Sequence, residues 1–267
     1  VSLSPSSIKI LVGYECSGAV RRALRAHGFD AWSCDIQAAR DGSPYHLTGD
    51  IWDFVGPEHG WHFAIFHPPC TYLTNSASWA FHDPDYEKYP GVGYHQRVKP
   101  ETLTGAARRA ARDAALADVE RLIALPYPKV IENPRGFIGT MLTPATQTIQ
   151  PHEYGSDASK ATCLWCRPGE DGRTPPKLVP TYHVKPRIVG GKKRWGNQTD
   201  SGQNRLSPGE SRADDRSETY PGVASALAAQ YGGWLLGKTL PDLHLAMLRD
   251  IDLLLADPEP SIEELLA

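Results

Sequence analysis

A cysteine that follows two consecutive prolines is held in place by its backbone as well as by its side chain. In "AIFHPPCTYLTNSASWAF" (64–81), Pro68 and Pro69 fix φ and remove two amide donors at the end of an apolar run, so the strand cannot continue through them. The corner fixes the Cys70 thiol at a strand end. A second polar strand end occurs in "KVIENPRG" (129–136), where Glu132, Asn133 and Pro134 close an apolar stretch. The loop and helix between the two form one crossover, which lets both ends lie side by side on one edge of a sheet. A thiolate is a soft nucleophile, and its free pKa of about 8.5 falls beside cations or helix dipoles. A carboxyl group can hydrogen-bond or protonate a ring nitrogen and make the adjacent carbon electrophilic. Together they are a nucleophile and an acid.

Three other strand ends carry suggestive groups. "GYECSG" (Gly13, Tyr14, Glu15, Cys16, Ser17, Gly18) is a turn whose glycines let backbone amides approach a ligand near a helix N-terminus. Asp35, followed by Ile36, stands where an acidic side chain reaches ribose hydroxyls, and Gly49-Asp50-Ile51 can address an adenine edge. In this order they suggest a nucleoside cofactor. The absence of a G-x-x-x-x-G-K-[ST] run argues against a P-loop NTPase.

The elements that must position these groups alternate. "IKILVG" (8–13), "FDAWSCDI" (29–36), "WHFAIFH" (61–67) and "KVIENPRG" read as strands. "AVRRALRAHG" is helical, with Ala19, Val20, Ala23 and Leu24 on one face and Gly28 as a stop. "ETLTGAARRAARDAALADVERLIALP" is a long helix whose expected apolar stripe includes Ala107, Ala110, Ala111, Ala114 and Leu122. The pattern predicts an α/β fold, a doubly wound and mostly parallel sheet with a small irregular insert. The expected divisions are a flexible tail (1–7), a core (8–167), a Gly- and Pro-rich insert (168–218), a core-closing helix (219–237), then a further helix and acidic tail (238–267). The loop at 71–100, with Trp79, Tyr86, Tyr89 and Tyr94, has the length and composition of a lid.

Composition is that of an ordinary globular protein, with 40% hydrophobic and 22% charged residues. Five scattered cysteines argue for reduced thiols rather than a disulfide framework. Cys163 and Cys166 form one C-x-x-C without the second pair of a structural zinc site, so no metal is expected. The opening residues lack the basic start and apolar core of a secretory leader, and no apolar run has membrane-spanning length; the expectation is an intracellular protein without membrane contact. The net charge of −3 conceals a basic stretch, 183–216, with Lys185, Arg187, Lys192, Lys193, Arg194, Arg205 and Arg212, suited to phosphates.

The succession of motifs resembles the DNA (cytosine-5) methyltransferase family, in particular its short, divergent phage and prophage members. "PPC" is similar to that family's Pro-Cys nucleophile motif and "ENP" to its Glu-Asn-Val motif. "GYECSG" stands at the S-adenosylmethionine loop, Asp35 at the ribose position and "GDI" at the adenine position, while "RSETYPGVASALAAQYG" resembles the fold-closing helix. Where the family carries paired arginines near the base, "YGSDASKATCLW" offers Lys160.

The resemblance implies a Rossmann-like S-adenosylmethionine-dependent fold. It implies that Cys70 adds to carbon 6 of a flipped cytosine while Glu132 engages ring nitrogen 3 and Lys160 assists. Pro68 joins the cofactor loop, Asp35, Ile36, Asp50 and Ile51 around the cofactor. Pro69, Thr71, Asn133, Pro134, Lys192, Lys193 and Arg194 are the expected substrate contacts. The implied partner is DNA, met by a monomer in the cytoplasm of a bacterial or phage-infected cell. The alternatives are a related pyrimidine modifier acting on RNA or adding another group, and a catalytically silent nucleic-acid binder.

Overall fold

The computed structural model describes residues 4–83, 102–205 and 218–238. Tyr86, Tyr89 and Tyr94 of the expected lid lie outside the described residues, as do the expected helix at 243–256 and the acidic tail.

Seven strands form one sheet: β1 (Lys9–Gly13), β2 (Asp30–Asp35), β3 (His46–Thr48), β4 (Phe63–Phe66), β5 (Lys129–Pro134), β6 (Gln147–Ile149) and β7 (Thr162–Arg167). Their order is β3-β2-β1-β4-β5-β7-β6. The first five run parallel, and β7 lies antiparallel between β5 and β6. Strand order reverses direction at β1, so its carboxyl end, flanked by β2 and β4, opens a crevice where ligands of such sheets bind. The expected α/β class, with a mostly parallel sheet, is what the chain adopts.

Period-2 alternation assigns each strand residue to a layer. Ile10, Val12, Phe63, Ile65, Val130, Leu164 and Cys166 point into one buried cluster with Val20 and Leu24 of helix α1 (Ala19–Ala26). Helix α3 (Pro221–Leu235) completes that layer through Val223, Leu227 and Tyr231. Leu11, Ala64, Phe66, Ile131, Cys163 and Trp165 point the other way, onto Leu116, Val119 and Leu122 of helix α2 (Gly105–Ile123). The "RSETYPG…" segment thus leads into a helix that packs on this layer.

Three expectations need correction. The alanine stripe of α2 is rotated: Ala107, Ala110 and Ala114 face solvent, and the buried face is Arg108, Leu116, Val119 and Leu122. In an alanine-rich helix every face looks apolar, so the few large residues decide. The tail is not loose throughout, since Pro5–Ser7 form a 3-10 turn. The insert begins later than residue 168, because Leu178 is core and two side-chain amides hold its segment. Gln147 exchanges two hydrogen bonds with Leu178 (2.7 and 2.8 Å), and Gln230 exchanges two with Val179 (both 2.8 Å). Beyond it, β8 (Arg187–Val189) and β9 (Lys192–Arg194) form a hairpin of their own.

Candidate active site

The reactive groups sit at the carboxyl ends of β4 and β5, which pair in parallel with Phe66 opposite Ile131. One residue further on, the two chains part. Pro68 and Pro69 have no amide hydrogen to give, and the Asn133 side chain replaces the missing ladder bond by donating from Nδ2 to the Pro68 carbonyl at 2.7 Å. Cys70 emerges from that corner exposed and reduced. Its carbonyl accepts from Leu73 N (3.0 Å) and Thr74 N (3.1 Å), which winds the chain into a tight turn. Arg108 of α2 donates to the Thr71 carbonyl (3.1 Å) and lies over Phe81, fixing the outer side of this turn. Phe137 N donates to Leu73 O at 2.8 Å, and Gly136 pairs with Thr74, so the segment after Glu132 clasps the segment after Cys70. Trp79 is half-buried in the 3-10 stretch Asn75–Phe81 that follows.

Glu132 lines a small cleft with His67, Lys160, Thr162 and Tyr220, with Leu164 and Val223 among its apolar walls. Its Oε2 lies 2.9 Å from Nδ1 of His67. Burial pushes the Glu132 carboxyl up, but the hydrogen bond and charge of His67, then Lys160 and the Thr162 hydroxyl, outweigh it and hold the group below the ordinary carboxylate range. With the carboxylate ionised, the imidazole Nδ1–H is the donor of this pair. Lys160 Nζ stands 5.9 Å from the centre of the Tyr220 ring. Lys160 and Thr162 thus do face Glu132, whereas Cys70 does not line the cleft.

The expected cofactor loop departs from what its glycines suggest. Tyr14 adopts φ 60°, a left-handed conformation rare outside glycine, and Gly18 follows with φ 70°. Between them the Glu15 side chain folds back on α1 and accepts from Val20 N (2.6 Å) and Arg21 N (3.2 Å). The start of the helix is capped from within, so these two amides are taken. Burial raises the Glu15 carboxyl above its usual range against the opposing charge of His67 and the amide bonds. Ser17 Oγ accepts from Ala19 N (3.3 Å), and Cys16 Sγ lies 3.7 Å from Gln37 Oε1.

At the end of β2, Asp35 is half-buried and accepts from Gln37 N (2.9 Å), while Ile36 is 78% exposed, an unusual setting for a large apolar side chain. Asp50 is exposed and caps the 3-10 turn Ile51–Asp53 by accepting from Trp52 N. The Ile51 side chain is in the core, so only its backbone could meet a ligand.

In the hairpin, Lys192 and Lys193 are exposed. Arg194 is not a free phosphate contact: it donates to the carbonyls of Asp200 (3.0 Å), Lys193 (2.9 Å) and Ser201 (3.3 Å). Arg187 bonds the Asp200 carboxylate and the Gln198 carbonyl, so both arginines brace the loop beside the lysines. Trp195 stacks on His152 at 4.1 Å and anchors the insert to the core.

Cys163 approaches Thr148 Oγ1 (3.5 Å) and Cys166 approaches Tyr231 (3.7 Å), on opposite faces of β7. Sequence reasoning missed His67, Thr162 and Arg108. His67 carried a signal, being the polar residue that ends an apolar strand directly before the prolines. Among the described residues, no helix is long and apolar enough to cross a membrane. Neither a family model nor a curated protein matches the chain.

Proposed function

We propose that the chain is an S-adenosylmethionine-dependent methyltransferase acting on carbon 5 of cytosine in DNA through a covalent adduct on Cys70. The observation that carries the reading is the pairing of β4 with β5, which brings a proline-fixed thiol and a carboxylate to neighbouring strand ends tied by Asn133. The residues present fit the cofactor in chemistry. Asp35 offers a carboxylate for ribose hydroxyls, exposed Ile36 an apolar face for an adenine, and Asp50 an acceptor for an amino group. When bound, S-adenosylmethionine supplies an electrophilic methyl group.

The chain's own residues do the rest. The Cys70 thiolate forms a bond to carbon 6, and the displaced π electrons move toward ring nitrogen 3, where Glu132 engages the ring. Carbon 5 becomes nucleophilic enough to take a methyl group. Loss of its proton then expels the cysteine. A stacked base cannot be reached this way, so the cytosine must leave the helix. Lys192 and Lys193 supply charge for the phosphate backbone.

The test is covalent trapping on DNA containing 5-fluorocytosine in the presence of S-adenosylmethionine. Fluorine cannot leave as a proton does, so the adduct persists and migrates slowly in a denaturing gel. Cys70→Ala should abolish trapping and turnover while retaining cofactor-induced stabilisation. Methyl transfer by that variant at the wild-type rate would refute the mechanism. Nucleoside mass spectrometry on DNA and RNA substrates identifies the modified atom and the preferred polymer.

A further inference from the structure

His67 takes no part in the reaction described so far, yet it occupies the joint between its pieces. Its backbone N–H donates to the Gly13 carbonyl at 3.0 Å, so it stands between the end of β1, where the cofactor loop begins, and the end of β5. Its imidazole and the Glu132 carboxylate are 11% and 19% exposed, with Nδ1 and Oε2 2.9 Å apart. Nε2 is buried and has no hydrogen-bond partner among the described residues. Leaving such an atom unpaired carries a desolvation penalty that a purely structural residue at this position would avoid. The Glu132 carboxylate of β5 bonds the ring directly, and the charge of His67 also acts on the buried Glu15 carboxyl in the loop after β1. Lys160 and Thr162, from the start of β7, face Glu132 on its other side.

An ionised carboxylate can only accept hydrogen bonds, whereas attack at carbon 6 requires a proton at nitrogen 3. The proton has to reach Glu132 from a neighbour. Taking the Cys70–Glu132 reading as premise, we propose that His67 is that neighbour, the proton source through which Glu132 acts on the cytosine ring. The imidazolium gives its Nδ1 proton to the Glu132 carboxyl, and the carboxyl gives a proton to nitrogen 3. In the same step the C6–S bond forms, the C5=C6 electron pair shifts to C4–C5, and the C4=N3 pair becomes the lone pair that takes the proton. The positive charge lost by the imidazole balances the negative charge lost by the thiolate. His67 acts through Glu132 and is a positioning and relay residue rather than one that touches the base.

His67→Asn separates relay from placement, because the Asn amide can donate to Glu132 from near the Nδ1 position but has no titratable proton. Single-turnover methyl transfer to cytosine-rich random-sequence DNA is measured for wild type and variant across pH. The ratio of their rates cancels the Cys70 ionisation common to both. The loss should be about tenfold to a hundredfold at neutral pH and shrink as pH falls, because in the variant the His67 charge no longer holds Glu132 down and solvent can protonate the buried carboxyl. In a Glu132→Gln background the His67 substitution should add nothing. A ratio independent of pH, or His67→Asn at the wild-type rate, would overturn the relay and leave His67 as a brace. His67→Gln serves the same test if the Asn variant does not fold. If wild type itself neither methylates nor traps on 5-fluorocytosine, the Cys70–Glu132 reading fails first and the relay falls with it.

Discussion

Gly136 should be sensitive to substitution although it bears no functional group. A Cβ added there would lie 1.9 Å from the Leu73 carbonyl oxygen and 2.8 Å from both Leu73 C and Thr74 Cα, all backbone atoms that cannot rotate away. Contact closer than 3.0 Å is essentially never seen for real Cβ atoms, so the two segments must separate by about 1 Å. That movement breaks or stretches the Phe137 N–Leu73 O bond. Overpacking and the weakened bond together should cost about 2–4 kcal/mol, a fall in Tm of roughly 4–7 °C. Leu73 and Thr74 hold the Cys70 carbonyl, so the thiol shifts with them, and misplacement of about 1 Å should slow methyl transfer about a hundredfold. Differential scanning fluorimetry and trapping kinetics on Gly136→Ala read both effects. Gly139→Ala is the control, since its Cβ would meet nothing nearer than Trp165 at 4.0 Å. A Gly136→Ala protein with wild-type Tm and trapping rate would refute the clasp between the two strand ends.

The proposed cofactor residues should separate by role. Asp35→Ala should weaken S-adenosylmethionine binding with little change in stability, whereas Asp50→Ala should do both, losing about 1 kcal/mol with its cap; calorimetry and melting curves check this, and a cofactor that leaves wild-type Tm unmoved up to about millimolar concentration would end the assignment. Replacing Lys192 and Lys193 by Gln should make the slope of log Kd against log salt shallower by about two for duplex DNA, and an unchanged slope would remove the hairpin from the interface. Burial raises the Asp41 carboxyl, but hydrogen bonds from Arg21 and Arg22 win and lower it to about 2 from 3.8. A depressed carboxylate stabilises the fold above its unfolded pKa and loses that contribution as pH falls through the folded value. Urea midpoints of wild type and Asp41→Asn should therefore differ at neutral pH and converge as pH falls from about 4 toward about 2; a constant gap would exclude the ion pairs as its source.

Strand ends were legible because prolines and acidic residues punctuate apolar runs, and periods of two and 3.6 separated strands from helices. Cys70 and Glu132 could be read as neighbours from the crossover between them. What escaped depends on contacts distant in sequence. Arg108 looked like one more exposed arginine of α2, and only the Thr71 carbonyl and Phe81 ring give it a buried place. The boundary of the insert is set by the side chains of Gln147 and Gln230, and no local pattern marks an amide that will bond a chain segment far away. Glu15 sat in a loop that reads as a ligand cradle, yet its carboxylate serves the helix that follows. Arg194 looked interchangeable with Lys192 and Lys193 by charge, whereas its planar fork suits three carbonyls.

The Pro68–Pro69 corner behaves as the stop of a zipper. Parallel strands would otherwise go on closing, because each added rung is held by the one before, and a thiol on a longer ladder would be drawn flush with the sheet. Here closure ends for a covalent reason: the next two teeth are missing from one side, and the Asn133 amide latches the last gap. The opening beyond the stop is set by backbone chemistry and not by the bulk of surrounding side chains. Drift at neighbouring surface positions can therefore alter what is admitted to the opening without moving the thiol that waits at its edge.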